Sequence, residues 1–171
     1  MKRLTAYMAV IVVGFLGLGA FSTKAEAAEL WKSLSAPAPM PKATLSGYAN
    51  VNGAKIYFAT FGSGKPLILL HGGLGNTDFW GSQISTFAAK YRVIVIASRG
   101  HGRSNNNGRP YGYSLMASDV LAVMDALAID KAAMVGWSDG GIIGLDIAIN
   151  NPGRLTRLYA FGANFNPSGV K

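Results

Sequence analysis

Ser138 sits in Gly136-Trp137-Ser138-Asp139-Gly140, and a chemistry follows from that spacing. A serine hydroxyl is a weak nucleophile until it is presented at a sharp turn, beside a base and facing an anion-stabilising pocket. Gly136 and Gly140 carry no side chains, so a strand and a helix can crowd together and hold Ser138 in a strained backbone conformation. A chain with 22 glycines could match Gly-x-Ser-x-Gly by accident. Here an apolar run, Ala132 to Trp137, enters the motif, and a helical pattern, Ile142 to Ile149, leaves it. That order is what nucleophilic attack on a carbonyl requires.

Acyl transfer also needs two backbone N–H donors aimed at the oxygen that becomes negative in the transition state. The residue after the serine, Asp139, supplies one. The other is expected from the loop following an earlier strand, and Pro66 to Leu70 is such a strand, followed by His71-Gly72-Gly73-Leu74-Gly75. Gly73 and Leu74 compete for the role, and Gly73 is preferred because a glycine backbone can approach the substrate unobstructed. Trp137 and Leu74 are candidate substrate contacts. Trp80 is another, although aromatics beside a turn or on a helix face, Trp137 and Trp80 alike, are more often core.

These paired motifs resemble the α/β-hydrolase superfamily, in its serine-nucleophile esterase, lipase and peptidase branch. The resemblance covers Leu45 to Asn164, and Ser98-Arg99-Gly100-His101-Gly102-Arg103-Ser104 is similar to the loop after the family's next strand. The family usually has Asp where this chain has Ser98, so no role is carried over for that carboxylate. The resemblance implies an ester hydrolase, or less fittingly one acting on an amide or thioester. Ser138 would be the nucleophile, with the N–H groups of Gly73 and Asp139 as oxyanion donors and a small acyl substrate. No metal or organic cofactor is implied. Relatives with a carboxylate nucleophile, the dehalogenases and epoxide hydrolases, are disfavoured by the serine at 138.

The proton relay is where the pattern stops. In this fold the base and its orienting acid follow the serine, in the order Ser, acid, His. No histidine follows Ser138, and the acids after it are Asp139 in the elbow and Asp146 within the next helix. His71 and His101 precede the serine at loop positions that do not match the family's base. The expectation is therefore an N-terminal fragment of a longer hydrolase, lacking the last strands, lid, acid and histidine, and inactive and poorly soluble alone. The alternative is a degenerate or ligand-binding member of the fold; a third is assembly from two chains.

The elements that position these residues alternate. Gly47–Val51 and Ile56–Phe61 are β-rich runs joined by the hairpin signal Asn52-Gly53. Helical periodicity follows Thr77, read as an N-cap, through Phe79, Trp80, Ile84, Phe87 and Ala88. Val93 to Ala97 is a β-branched run suited to a buried parallel strand. Ser114 is read as the cap of a helix over 115–127 that buries Leu115, Val120, Val123, Met124 and Leu127. Leu155 to Gly162 is the last strand. An opening hairpin followed by alternating strands and helices gives an α/β fold with a mostly parallel sheet flanked by helices. His71, Ser98 and Ser138 then fall together at strand carboxyl ends, where such sheets bind ligands.

The N-terminus reads as a leader. Lys2-Arg3 precedes the uncharged stretch from Leu4 to Thr23, and Ala25-Glu26-Ala27 offers cleavage before Ala28. Residues 1–27 are thus a signal peptide, 28–44 a proline-containing linker and 45–171 a partial hydrolase domain. The expected destination is the periplasm or exterior, with no stable membrane association after cleavage. The rival is an uncleaved anchor, as the uncharged run approaches the ~20 residues that span a bilayer. The chain has no cysteine, which excludes a lipidated cysteine anchor. The formal charge of +8 is scattered rather than gathered on one element, so no nucleic-acid partner is expected.

Overall fold

A computed structural model of the chain describes residues 38–108, 110–164 and 166. The leader and most of the linker lie outside those residues. Among the described residues no helix is long and apolar enough to cross a membrane.

Six strands form one sheet: β1 (Leu45–Val51), β2 (Ala54–Phe61), β3 (Lys65–Leu70), β4 (Tyr91–Ile96), β5 (Ala132–Trp137) and β6 (Leu155–Phe161). Their order across the sheet is β1-β2-β4-β3-β5-β6. The hairpin β1–β2 joins β4 antiparallel, and β4, β3, β5 and β6 run parallel. Asn52 and Gly53 both have positive φ (48° and 74°), as a tight two-residue hairpin turn requires.

Three α-helices connect the parallel strands: α1 (Gly81–Ala88), α2 (Tyr113–Ala126) and α3 (Asp139–Asn150). Side chains alternate across each strand, so the sheet feeds two cores. Ile56, Phe58, Ile68, Leu70, Ile94, Ile96 and Met134 meet α2 and α3 on one face, where Val120, Val123, Met124, Ile143 and Ile147 are buried. Phe61, Leu67, Leu69, Val93 and Val95 meet Trp80 and Ile84 on the other. Each fully buried aliphatic side chain contributes about 1.5–3 kcal/mol, so β3 and β4, buried on both faces over most of their length, contribute strongly to stability. The end of the proline segment joins in: Met40 and Ala43 pack on the second core, and Thr44 N–H bonds Thr60 O at 2.8 Å.

Both helix caps differ from expectation. Asn76, not Thr77, caps the first helical segment, its side chain accepting from Asp78 N–H at 2.8 Å, and Thr77–Trp80 is a 3-10 turn that leads into α1. α2 begins two residues early, with Gly112 at the N-cap, because the Ser114 hydroxyl is spent on Asp146 at 2.8 Å. Its buried stripe includes Met116, Ala117 and Asp119, while Leu115 and Leu127 are only partly buried. Among the described residues β6 is the edge strand opposite β1, and Tyr159 and Phe161 lie exposed on it with ring centroids 5.7 Å apart.

Candidate active site

β5 ends at Trp137 and α3 starts at Asp139, leaving Ser138 alone at the junction. Its φ of 51° and ψ of −117° lie outside the ordinary allowed regions for a residue with a side chain. Such a conformation costs on the order of 1–3 kcal/mol and persists only where its surroundings enforce it. They do so with backbone. Ser138 N–H bonds Phe161 O at 2.9 Å on β6, while Ser138 O accepts from Gly141 and Ile142 N–H at 2.8 and 3.0 Å. A Cβ on Gly136 would collide with the Gly140 carbonyl, and one on Gly140 with the Leu70 carbonyl. The two motif glycines are therefore the condition for α3 to turn back over β5 and β3.

The loop after β3 lies against this elbow. A Cβ on Gly72 would stand 3.0 Å from Ser138 Cβ, and one on Gly73 would stand 2.6 Å from Asp139 Oδ2. Gly75 N–H closes a turn onto Gly72 O at 3.1 Å, with Leu74 at the tip at φ 59° and almost wholly exposed. That closing bond leaves the N–H groups of Gly73 and Leu74 uncommitted by the turn. The first N–H groups of α3 have no partner within the helix, and its dipole favours negative charge there. Gly72 thus lies against Ser138 and Gly73 against Asp139, while Leu74 stands at the exposed tip of the loop. Trp137 is half-exposed beside them, edge-on to Phe79 at 6.1 Å. Trp80 is buried in the core instead.

Neither described histidine is placed as the serine's base. His71 is 1% exposed. Its Nδ1 lies 2.7 Å from Gly72 O, which can only accept, and its Nε2 accepts Ser98 N–H at 3.0 Å. The ring is therefore a neutral Nδ1–H tautomer with both nitrogens engaged, tying the β3 loop to the β4 loop. Burial pushes its pKa below the ordinary value; the Gly72 hydrogen bond opposes, nearby His101 adds to the lowering and Asp139 resists it. His101 puts Nδ1 2.9 Å from Arg99 O, its ring 5.4 Å from that of His71.

Two features escaped the sequence reading. Arg99, which looked like one of several scattered charges, is fully buried and holds Asp119 through two bonds of 2.6 and 2.8 Å. The same guanidinium donates to Asn52 O at 3.3 Å in the hairpin turn. An acid three residues after Met116, on an apolar helix face, was the available signal for a buried partner. The other is Tyr113 at the start of α2, whose hydroxyl donates to Asp139 Oδ1 at 2.9 Å. Beside it a cavity of about 300 Å³ is lined by His101, Tyr111, Gly112, Tyr113, Met116 and Asp139. No cluster of three or more potential metal ligands occurs among the described residues.

A doubly covered parallel sheet with a strained serine between strand and helix defines an α/β hydrolase. The alpha/beta hydrolase fold family matches residues 65–169, and the chain belongs to it. A putative carbamate hydrolase RutD of Azorhizobium caulinodans is 36% identical over 111 residues, 65% of this chain and 42% of that protein. The 3-oxoadipate enol-lactonase 2 of Acinetobacter baylyi is 38% identical over 103 residues, 59% of this chain and 39% of that protein. Among solved structures, Est816, described as an N-acyl homoserine lactone degrading enzyme, superposes with a TM-score of 0.66 at 37% identity, covering 68% of this chain and 45% of that one. An esterase from Exiguobacterium antarcticum gives 0.66 at 32% identity, covering 70% and 46%. The chain spans less than half the length of these relatives, and their names support a hydrolase of this fold.

Proposed function

We propose that the protein hydrolyses esters, lactones included, by nucleophilic attack of Ser138 Oγ on the carbonyl carbon. The N–H groups of Gly73 and Asp139 receive the oxyanion, with Leu74 and Trp137 bordering the small acyl substrate. The carbonyl oxygen takes the negative charge as Oγ bonds to carbon, the alcohol leaves as the carbonyl re-forms, and water then releases the acid. The single observation carrying this reading is the conformation of Ser138, a strained serine at a helix N-terminus pressed against a glycine loop. The relatives' names fit it, since enol-lactones, acyl homoserine lactones and carbamates are all attacked at a carbonyl. The proton leaving Oγ must pass to a base and return to the departing alcohol, and neither His71 nor His101 is placed to carry it.

The test is hydrolysis of p-nitrophenyl butyrate by the protein as its gene encodes it. Ser138→Ala should abolish turnover, a loss on the order of a millionfold where a serine nucleophile of this kind has been removed. Turnover that survives the substitution would sink the serine reading. A second reading, a ligand-binding protein using the same cleft, is favoured by one observation: both ring nitrogens of His71 are already committed. It predicts that the wild type neither turns over the ester nor reacts with a fluorophosphonate.

Export is proposed from the leader, with cleavage after Ala27. The mature N-terminus should then read Ala28, and a chain still starting at Met1 would favour the anchor.

A further inference from the structure

Asp139 has two jobs that conflict. Its N–H is one of the proposed oxyanion donors, yet its carboxylate brings a negative charge next to the place where negative charge must develop. Like charges at that range oppose each other, so the position of the carboxylate matters. The structure fixes it on two sides. Oδ2 stands so close to Gly73 that a methyl group there would lie 2.6 Å away, and Oδ1 accepts the Tyr113 hydroxyl at 2.9 Å. Tyr113 is the first residue of α2, and one residue on, Ser114 Oγ bonds Asp146 Oδ2 at 2.8 Å on α3. The start of α2 is thus pinned to α3 at two points a helical turn or more apart.

We propose that Tyr113 is a positioning residue for the reaction assigned to Ser138: through the Asp139 carboxylate it holds the elbow in register with the Gly73 loop and fixes where that carboxylate stands. The proposal rests on the serine reading. Burial, and then the bond to Asp139, keep the Tyr113 hydroxyl protonated above the ordinary tyrosine range, so it remains a donor throughout the neutral range. The link from Tyr113 to the elbow is one hydrogen bond, from its hydroxyl to Asp139 Oδ1. Losing that bond misplaces both oxyanion donors relative to each other without removing either.

The experiment is a double-mutant cycle on the protein as its gene encodes it, with p-nitrophenyl butyrate as substrate. Tyr113→Phe keeps the ring and removes the hydroxyl. It should lower kcat about tenfold with KM nearly unchanged, short of the ~100-fold or more that follows outright loss of an oxyanion donor. Asp139→Ala removes the same link but also the opposing charge, so it should lower kcat no more than Tyr113→Phe, and the double variant should be no worse than the poorer single one. A purely structural role for Tyr113 predicts otherwise: a lower melting temperature with kcat within twofold of wild type, or losses that multiply in the double variant. Either result overturns the proposal while leaving the serine reading intact. Activity that survives Ser138→Ala, or no turnover by the wild type, removes both together.

Discussion

The loop after β5 and the loop after β4 lie at the same end of the sheet, on either side of β3 and its loop, and are held by opposite means. At the elbow after β5, position is set by missing atoms: Gly136 and Gly140 let the α3 backbone touch β5 and β3, and Ser138 is strained between them. After β4, position is set by charge: Arg99 reaches from the loop into α2 and the hairpin, and Arg103 reaches to Asp78 at 2.9 Å near the start of α1. Close backbone approach gives a fixed shape over a few residues. Ion pairs tie together elements far apart in the chain, at the cost of a penalty if either partner is lost.

Breaking the charge side should have the largest effect on stability. Asp119→Ala leaves the wholly buried Arg99 guanidinium without its anion, and losing one member of a buried pair costs about 3–5 kcal/mol. Urea unfolding should show it as a lower midpoint; a change under about 1 kcal/mol would mean that water reaches Arg99 after all. The backbone side should break more gently. Gly140→Ala forces a methyl group against the Leu70 carbonyl, and overpacking of this kind costs about 1–3 kcal/mol. The shift should come with loss of the proposed ester hydrolysis greater than the lost stability explains, because Ser138 moves with α3. Full activity in that variant would show that the close approach is dispensable.

His71, on the β3 loop between the other two, is bonded to the β4 loop and supplies a test by pH. Unfolded, its imidazole takes up a proton near 6.5; folded, burial holds its pKa lower, so the unfolded chain binds more protons between those two values. Stability should decline as the pH falls through 6.5 and level off, as far as this group goes, once the folded ring protonates as well. Protonation of the folded ring removes the acceptor for Ser98 N–H, so that amide should lose hydrogen-exchange protection only as the pH falls through the lowered folded value. Unchanged protection there would contradict the assigned tautomer. The smallest effect belongs to Asp78→Ala. The pair with Arg103 is half-exposed on both sides and contributes about 0.2–1 kcal/mol, weakening with salt.

The same contrast decides what the sequence reveals. The elbow was legible because its cause is local: apolar strand, glycine, serine, glycine and helix stand within one stretch of chain. The two faces of the sheet were legible from apolar runs and their breaks. Caps were harder. Asn76 and Thr77 are both capping types, and only the geometry of the 3-10 turn selects Asn76. Ser114 looked free to cap α2, but its hydroxyl serves a partner 32 residues away. Arg99 with Asp119 and Tyr113 with Asp139 are separated by 20 and 26 residues, so neither pairing can be read from spacing along a helix or strand. The base and acid of the proposed reaction were not found in the sequence before Lys171, and the described residues add no candidate.

Arg99 also has a consequence for motion. Its guanidinium is shielded only while the hairpin turn at Asn52, the β4 loop and α2 are all in place. Opening any one of the three exposes a charge to an incomplete, poorly solvated shell, so partial opening gains little freedom and loses the ion pair. The amides of these segments, though dispersed from residue 51 to residue 119, should exchange with solvent deuterium as one cooperative unit at one free energy. The same buried charge that fixes the loop would thus make a distant hairpin and a helix breathe together.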